Sequence, residues 1–182
     1  MKKIMLLSVL SLFGTIENIN ADNKLKNWNS KLIIVKDSTR HSELNSFWKE
    51  LSRTVREGDF EGYKATYHED AVVIFATGKN KISNSLSVAL AGWKQGFDDT
   101  KSGKVKSDVK FRFSQRISDA TTAHETGIFH YTSIDDNGKE LASQLIHFEM
   151  LLVKKNGKWL AVMEYQKSIA TQEEWNALDK LE

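Results

Sequence analysis

Cysteine is missing from all 182 residues, and so is proline. Without cysteine there is no disulfide framework, no thiol nucleophile and no four-cysteine zinc site. Without proline, the turns fall on glycine, asparagine and aspartate. An excess of one charge is lacking too: 26 Lys and Arg stand against 24 Asp and Glu. A net charge of +2 is too small to point to nucleic acid or a membrane surface as partner. No P-loop, G-x-G-x-x-G or G-x-S-x-G motif occurs, so no nucleotide cofactor is expected.

Long apolar runs are also scarce, and the one of note opens the chain. Lys2-Lys3 precede the apolar stretch Ile4–Gly14, and the segment ending at Ala21 resembles a cleavage region. This order predicts a bacterial-type secretory signal over residues 1–21, and hence a secreted or periplasmic protein. The apolar stretch is too short to span a bilayer by itself. No stable membrane span is expected after signal cleavage. The alternative is a retained N-terminal anchor.

Residues 22–40 are mostly polar and read as an N-terminal arm, carrying at most a short strand at Leu32–Val35. Residues 41–182 are long enough for one domain with its own core. Leu44, Trp48, Leu51 and Val55 form one helical stripe, stopped at Gly58. Asp59 is placed to cap a second helix through Tyr67 that carries Phe60, Tyr63 and Tyr67. A strand over Ala71–Ala76 follows, then a helix with Leu86, Leu90, Trp93 and Phe97 on one side.

From Lys104 the period becomes two. Val105, Val109, Phe111, Phe113 and Ile117 share one face, and Lys104, Lys106, Lys110, Arg112 and Arg116 the other. That basic stripe suits an edge strand guarded against edge-to-edge pairing. Strands His124–Ile134, Leu141–Lys154 and Lys158–Ser168 are joined by turns at Asp136–Lys139 and Asn156-Gly157. The Thr171…Glu174 spacing predicts a capping box on a final helix. Helices first and a long antiparallel sheet after make an α+β layout.

Asn156-Gly157 favours a two-residue type I′ turn. Counting outward pairs Val153 with Leu160, Leu151 with Val162, Glu149 with Glu164, and His147 with Gln166. Like charges opposed in a sheet are destabilising, so a facing glutamate pair reads as a site rather than as scaffolding. The other face carries Phe148, Met150, Leu152, Ala161, Met163 and Tyr165. It is too apolar to be left in water, so it should be a dimer interface or lie under the last helix with Trp175.

The run GDFEGYKATYHEDAVVIFATG, with a helix, strands and VKKNGKW after it, resembles the nuclear transport factor 2-like superfamily. That superfamily includes ketosteroid isomerase, scytalone dehydratase and the SnoaL-type polyketide cyclases. The likeness covers about residues 42–168. It implies a cone: a curved antiparallel sheet wrapped around a pocket that the N-terminal helices close. Many members form homodimers through the outer face of the sheet. Aligned to ketosteroid isomerase, the proton-abstracting aspartate falls at Phe75 and the oxyanion-hole tyrosine at Leu51. Isomerisation of ketosteroids is therefore not supported. The second oxyanion-hole acid falls at Glu149, which the resemblance places on the pocket side.

The Asp136–Lys139 turn pairs Thr132 with Ser143, His130 with Leu145, Ile128 with His147, and Thr126 with Glu149. One face then gathers the candidate catalytic residues Glu149, Glu164, His147 and His130. Thr126, Thr132 and Gln166 join them as ligand-binding residues, with Tyr63 and Trp48 from the helices. A raised-pKa carboxyl beside an ionised one is an acid–base pair suited to enolisation, dehydration or cyclisation. The histidines with either glutamate could instead ligate zinc, but no H-E-x-x-H motif supports a metal site. The expectation is an exported, cofactor-free small-molecule pocket protein with isomerase-, dehydratase- or cyclase-like chemistry. The alternative is a non-catalytic ligand-binding or dimeric interaction domain.

Overall fold

The computed structural model describes residues 22–180, with side chains from Thr39 onward. The expected signal segment 1–21 lies outside the described residues. The chain divides into two units, residues 1–38 and 39–182. In the first, the backbone is helical from Asp22, where the sequence suggested a short strand. No described helix is long and apolar enough to cross a membrane.

Helix α1 (Asp22–Glu57) enters the second unit at Thr39 and buries Leu44, Phe47, Trp48 and Leu51. Each such side chain contributes about 2 kcal/mol by leaving water. Trp48 meets Phe47, Phe111, Phe113 and Phe148, with ring centroids 4.5–5.3 Å apart. The helix stops at Gly58, whose φ of +66° suits a residue without a side chain. Asp59 then caps α2 (Phe60–Lys64) by accepting from the Gly62 N–H. This helix is shorter than the sequence suggested, and Tyr67 opens a strand instead of closing a helix.

The strands are β1 (Tyr67–Phe75), β2 (Ile82–Ser85), β3 (Val105–Ser118), β4 (Thr122–Asp135), β5 (Glu140–Lys155), β6 (Lys158–Ile169) and β7 (Asp179–Lys180). They form one sheet in the order β2-β1-β6-β5-β4-β3-β7. All neighbours are antiparallel except β1 and β6, which run parallel. Helix α3 (Leu86–Lys101) buries Leu86, Ala89, Leu90 and Phe97 beside α1 in the core. Helix α4 (Gln172–Asn176) carries the expected capping box between Thr171 and Glu174.

Register shifts in four of the strand pairings help set which side chains face inward. Asp135 and Lys139 flank a three-residue turn, one residue longer than the sequence suggested. An irregularity between Ser133 and Ile134 offsets it, so Thr132–Ser143, His130–Leu145, Ile128–His147 and Thr126–Glu149 pair as expected. In the β5–β6 hairpin the bulge is not offset until a second one beyond Phe148, where His147 pairs with Ser168 instead of the expected Gln166. Leu152 pairs with Ala161, but Leu151 pairs with Met163, leaving Val162 as the extra residue. Beyond it Met150 faces Glu164 and Glu149 faces Tyr165. The expected Glu149–Glu164 opposition is overturned, because one extra residue reverses the side chains that follow it until the next bulge.

A further bulge skips Ser114, so Gln115 pairs with Thr126 and Arg116 with Glu125. Here Gly127 lets β3 approach closely; a Cβ on it would lie 1.9 Å from the Arg112 carbonyl oxygen. Arg116 turns inward and Ile117 outward, at 54% exposure, the reverse of the alternating pattern read from sequence. The apolar side of β5, with Phe148, Met150 and Leu152, is the core and not an outer interface. Trp175 of α4 packs instead over Ile128, on the opposite face of the sheet.

Candidate active site

A cavity of about 380 Å³ opens between α1, α2 and α3 on one side and the inner face of the sheet on the other. Its walls are aromatic: Trp93 and Phe97 of α3, Phe111 of β3, Phe129 of β4 and Phe148 of β5. The register places Glu164 among them, 7% exposed, and among the described residues it is the single carboxyl or imidazole that lines the cavity. Tyr67 donates its hydroxyl hydrogen to one Glu164 oxygen. The Gln166 side-chain amide donates to the other over 2.8 Å. The Tyr63 hydroxyl lies 3.0 Å from the Tyr67 hydroxyl and extends the chain of polar groups to α2.

Burial governs the electrostatics. Removing Glu164 from water raises its pKa above the ordinary carboxyl value, while the Tyr67 and Gln166 hydrogen bonds pull the other way without cancelling the shift. Among the described residues no cation lines the cavity. Burial also lifts the Tyr67 and Tyr63 hydroxyls well above the usual phenol range, reinforced by the Glu164 charge. The cluster is thus built to hold a proton on Glu164 nearer to neutrality than a surface glutamate would.

Of the residues expected from sequence, Glu164, Gln166 and Tyr63 meet at this cavity. Glu149, His147, His130, Thr126 and Thr132 do not; β4 and β5 carry them on the opposite face. Glu149 accepts from the Lys167 ammonium over 2.5 Å, a hydrogen bond that lowers its pKa, and sits 3.7 Å from His124 Nε2. His147 approaches Glu174 at 3.4 Å, and His130 lies 3.1 Å from the Ser143 hydroxyl and 5.7 Å from the Trp175 ring. Trp48 is fully buried in the core and does not line the cavity.

Sequence reading missed two partners. Tyr67 was placed on a helix, although Tyr63 and Tyr67 sit four apart and their hydroxyls still meet across the helix–strand junction. Glu125 is completely buried, accepting from Trp48 Nε1 and from Arg116 Nε. It alternates in step with Ala123, Phe129 and Tyr131, a signal that was there to find.

A SnoaL-like domain family matches residues 44–172, well over half of the sequence. The chain belongs to the SnoaL-like domain family. Its fold is that of the nuclear transport factor 2-like superfamily, with a curved, unclosed sheet and N-terminal helices. Among solved structures, a conserved protein of Planctomyces limnophilus is similar with a TM-score of 0.57 at 12% identity, over 73% of this chain and 98% of that one. An NTF-2 like protein of Shewanella oneidensis gives 0.53 at 17%, over 70% and 98%. A ketosteroid isomerase-like protein of Erwinia carotovora atroseptica gives 0.52 at 16%, over 71% and 96%. At these identities the likeness is one of fold. No curated protein matches the chain.

Proposed function

We propose that this SnoaL-like domain binds a small, mainly apolar molecule and performs cofactor-free acid–base chemistry on it through Glu164. The observation that supports this reading most is a buried carboxyl facing a cavity without a cation to neutralise it. Neutral Glu164 can give its proton to a ligand oxygen. The carboxylate left behind is held by the Tyr67 hydroxyl and the Gln166 amide. Where that oxygen is a carbonyl, it can then take a proton from the carbon α to the carbonyl, which gives the enol; where it is a hydroxyl, the protonated oxygen leaves as water and the carboxylate takes the proton from the adjacent carbon, which gives the alkene. Both are proton-transfer steps for which a carboxyl with a raised pKa is better suited than an ordinary one.

The site differs from the pair of facing glutamates read from sequence: Glu164 alone carries the proton, Tyr67 and Gln166 hold its carboxylate, and His130 and His147 lie on the opposite face of the sheet. Carboxyl carbon NMR of selectively labelled protein tests the reading. Glu164 should titrate above 4.5 and Glu149 below it, in the directions their surroundings impose. An ordinary value for Glu164 would leave a binding domain without acid–base chemistry.

A further inference from the structure

The cavity has a second polar end that the acid–base chemistry does not use. At its far side Tyr131 of β4 and Gln144 of β5 face each other across the sheet. Close by, the Thr100 and Ser107 hydroxyls lie 2.9 Å apart, and Tyr131's hydroxyl is 3.4 Å from Ser107's. Thr100 and Ser107 are buried and satisfy each other. The Tyr131 hydroxyl makes only that long contact, and Gln144 is exposed with no hydrogen-bond partner among the described residues. Two groups able to donate and accept thus stand at the mouth with capacity to spare.

The register measures the gap between the ends. Glu164 pairs with Met150, six positions along β5 from Gln144, and Gln166, whose amide donates to the Glu164 carboxyl, pairs with Phe148, four positions away. At about 3.3 Å per residue the ends lie roughly 13–20 Å apart along the strand. Between the ends the lining is apolar, with Ile146, Phe129 and Phe148 on the sheet side. Across from them α3 contributes Gly92 and Gly96, one turn apart, where an added Cβ would meet nothing within 4 Å. Glycine is among the poorest helix formers, so two of them on the cavity side of one helix cost stability and leave a slot open.

We infer that the cavity takes an elongated, mainly apolar ligand bearing a hydrogen-bonding group at each end, one meeting Glu164 and Tyr67 and the other meeting Tyr131 and Gln144. This rests on the ligand-binding part of the proposed function. The far end sets which ligands are accepted, because an unmet polar group at either end is penalised on binding.

Calorimetric titration of the full chain with two biphenyl probes tests it. One probe carries a single para hydroxyl and the other a para hydroxyl on each ring. The doubly hydroxylated probe should bind roughly fivefold more tightly, the worth of one neutral hydrogen bond. Tyr131→Phe combined with Gln144→Leu should abolish that preference. Gly96→Leu should fill the slot and weaken both probes at least tenfold, with a melting temperature equal to or above that of the parent. Equal binding of the two probes, binding of neither, or a preference that survives the double substitution would overturn the inference. Unchanged affinity in Gly96→Leu would overturn the placement of the ligand along α3. The NMR titration of Glu164 reads the acid–base chemistry separately, so either result can fail while the other stands.

Discussion

Glu125 and Glu164 occupy matching places in the sheet and live under opposite conditions. Each pairs with Met150, Glu125 from β4 and Glu164 from β6, and each points inward. Two strand spacings, roughly 10 Å, separate them. Both are buried, at 0% and 7% exposure. Glu125 has a guanidinium for company: Arg116 Nε donates to it over 2.5 Å, and the same Arg116 donates to Asn45 of α1 over 2.7 Å. Glu164 has only a phenol and an amide. A buried carboxyl matched by a cation fastens elements together, here α1 to β3 and β4. One matched by neutral donors faces a desolvation cost that a proton relieves, which makes it useful for chemistry. The counter-ion, more than burial, separates scaffold from site.

Four substitutions sharpen that contrast. The largest effect is expected at Glu125→Ala, which strands a largely buried guanidinium and frees Trp48 Nε1. Urea unfolding should show a loss of about 3 kcal/mol or more. A loss below about 1 kcal/mol would mean that the ion pair does not fasten α1.

At the other glutamate, Tyr67→Phe removes one of the two donors to Glu164 and should cost about 1–2 kcal/mol. Glu164→Gln supplies a neutral side chain of nearly the same shape, and its signature is the pH dependence of stability. A carboxyl whose folded pKa is raised binds more protons folded than unfolded between the two pKa values. The parent's stability should therefore fall as pH rises from about 4.5 through the folded pKa, and level off above it. Glu164→Gln should lack that fall, so the parent loses ground to it with rising pH. Parallel curves in pH-dependent thermal melts would contradict the raised pKa.

The smallest effect belongs to Glu149→Gln. Its pairing with the half-exposed Lys167 is largely solvated, so a change within about 0.5 kcal/mol is expected. The same variant should leave probe binding unaltered, because Glu149 is on the face away from the cavity.

The β4–β5 and β5–β6 hairpins show how far sequence counting carries. In the first, a longer turn and an offsetting irregularity cancelled, so the pairs read from Asp136–Lys139 are the pairs observed. In the second, Val162 is a bulge that no glycine or proline marks, and it is not offset until beyond Phe148. The bulge at Ser114 misled in the same manner and hid the Arg116–Glu125 pair. Bulges bend and twist a strand, and a sheet that curves around a cavity needs such bends where its core demands them. Local sequence carries little record of that demand.

The amino-acid sequence alone determined the order of the main helices and long strands, though not the short β2 and β7 or the helical backbone at Leu32–Val35, along with the stops at Gly58 and Asn156-Gly157, the capping box at Thr171, and the family resemblance. These follow from side-chain periodicity and backbone preference, which act over a few residues. Only the tertiary structure decided which side of each long strand faces the cavity, and so which carboxyl is buried without a counter-ion. That choice depends on one extra residue in a strand, and it is made by packing between distant elements.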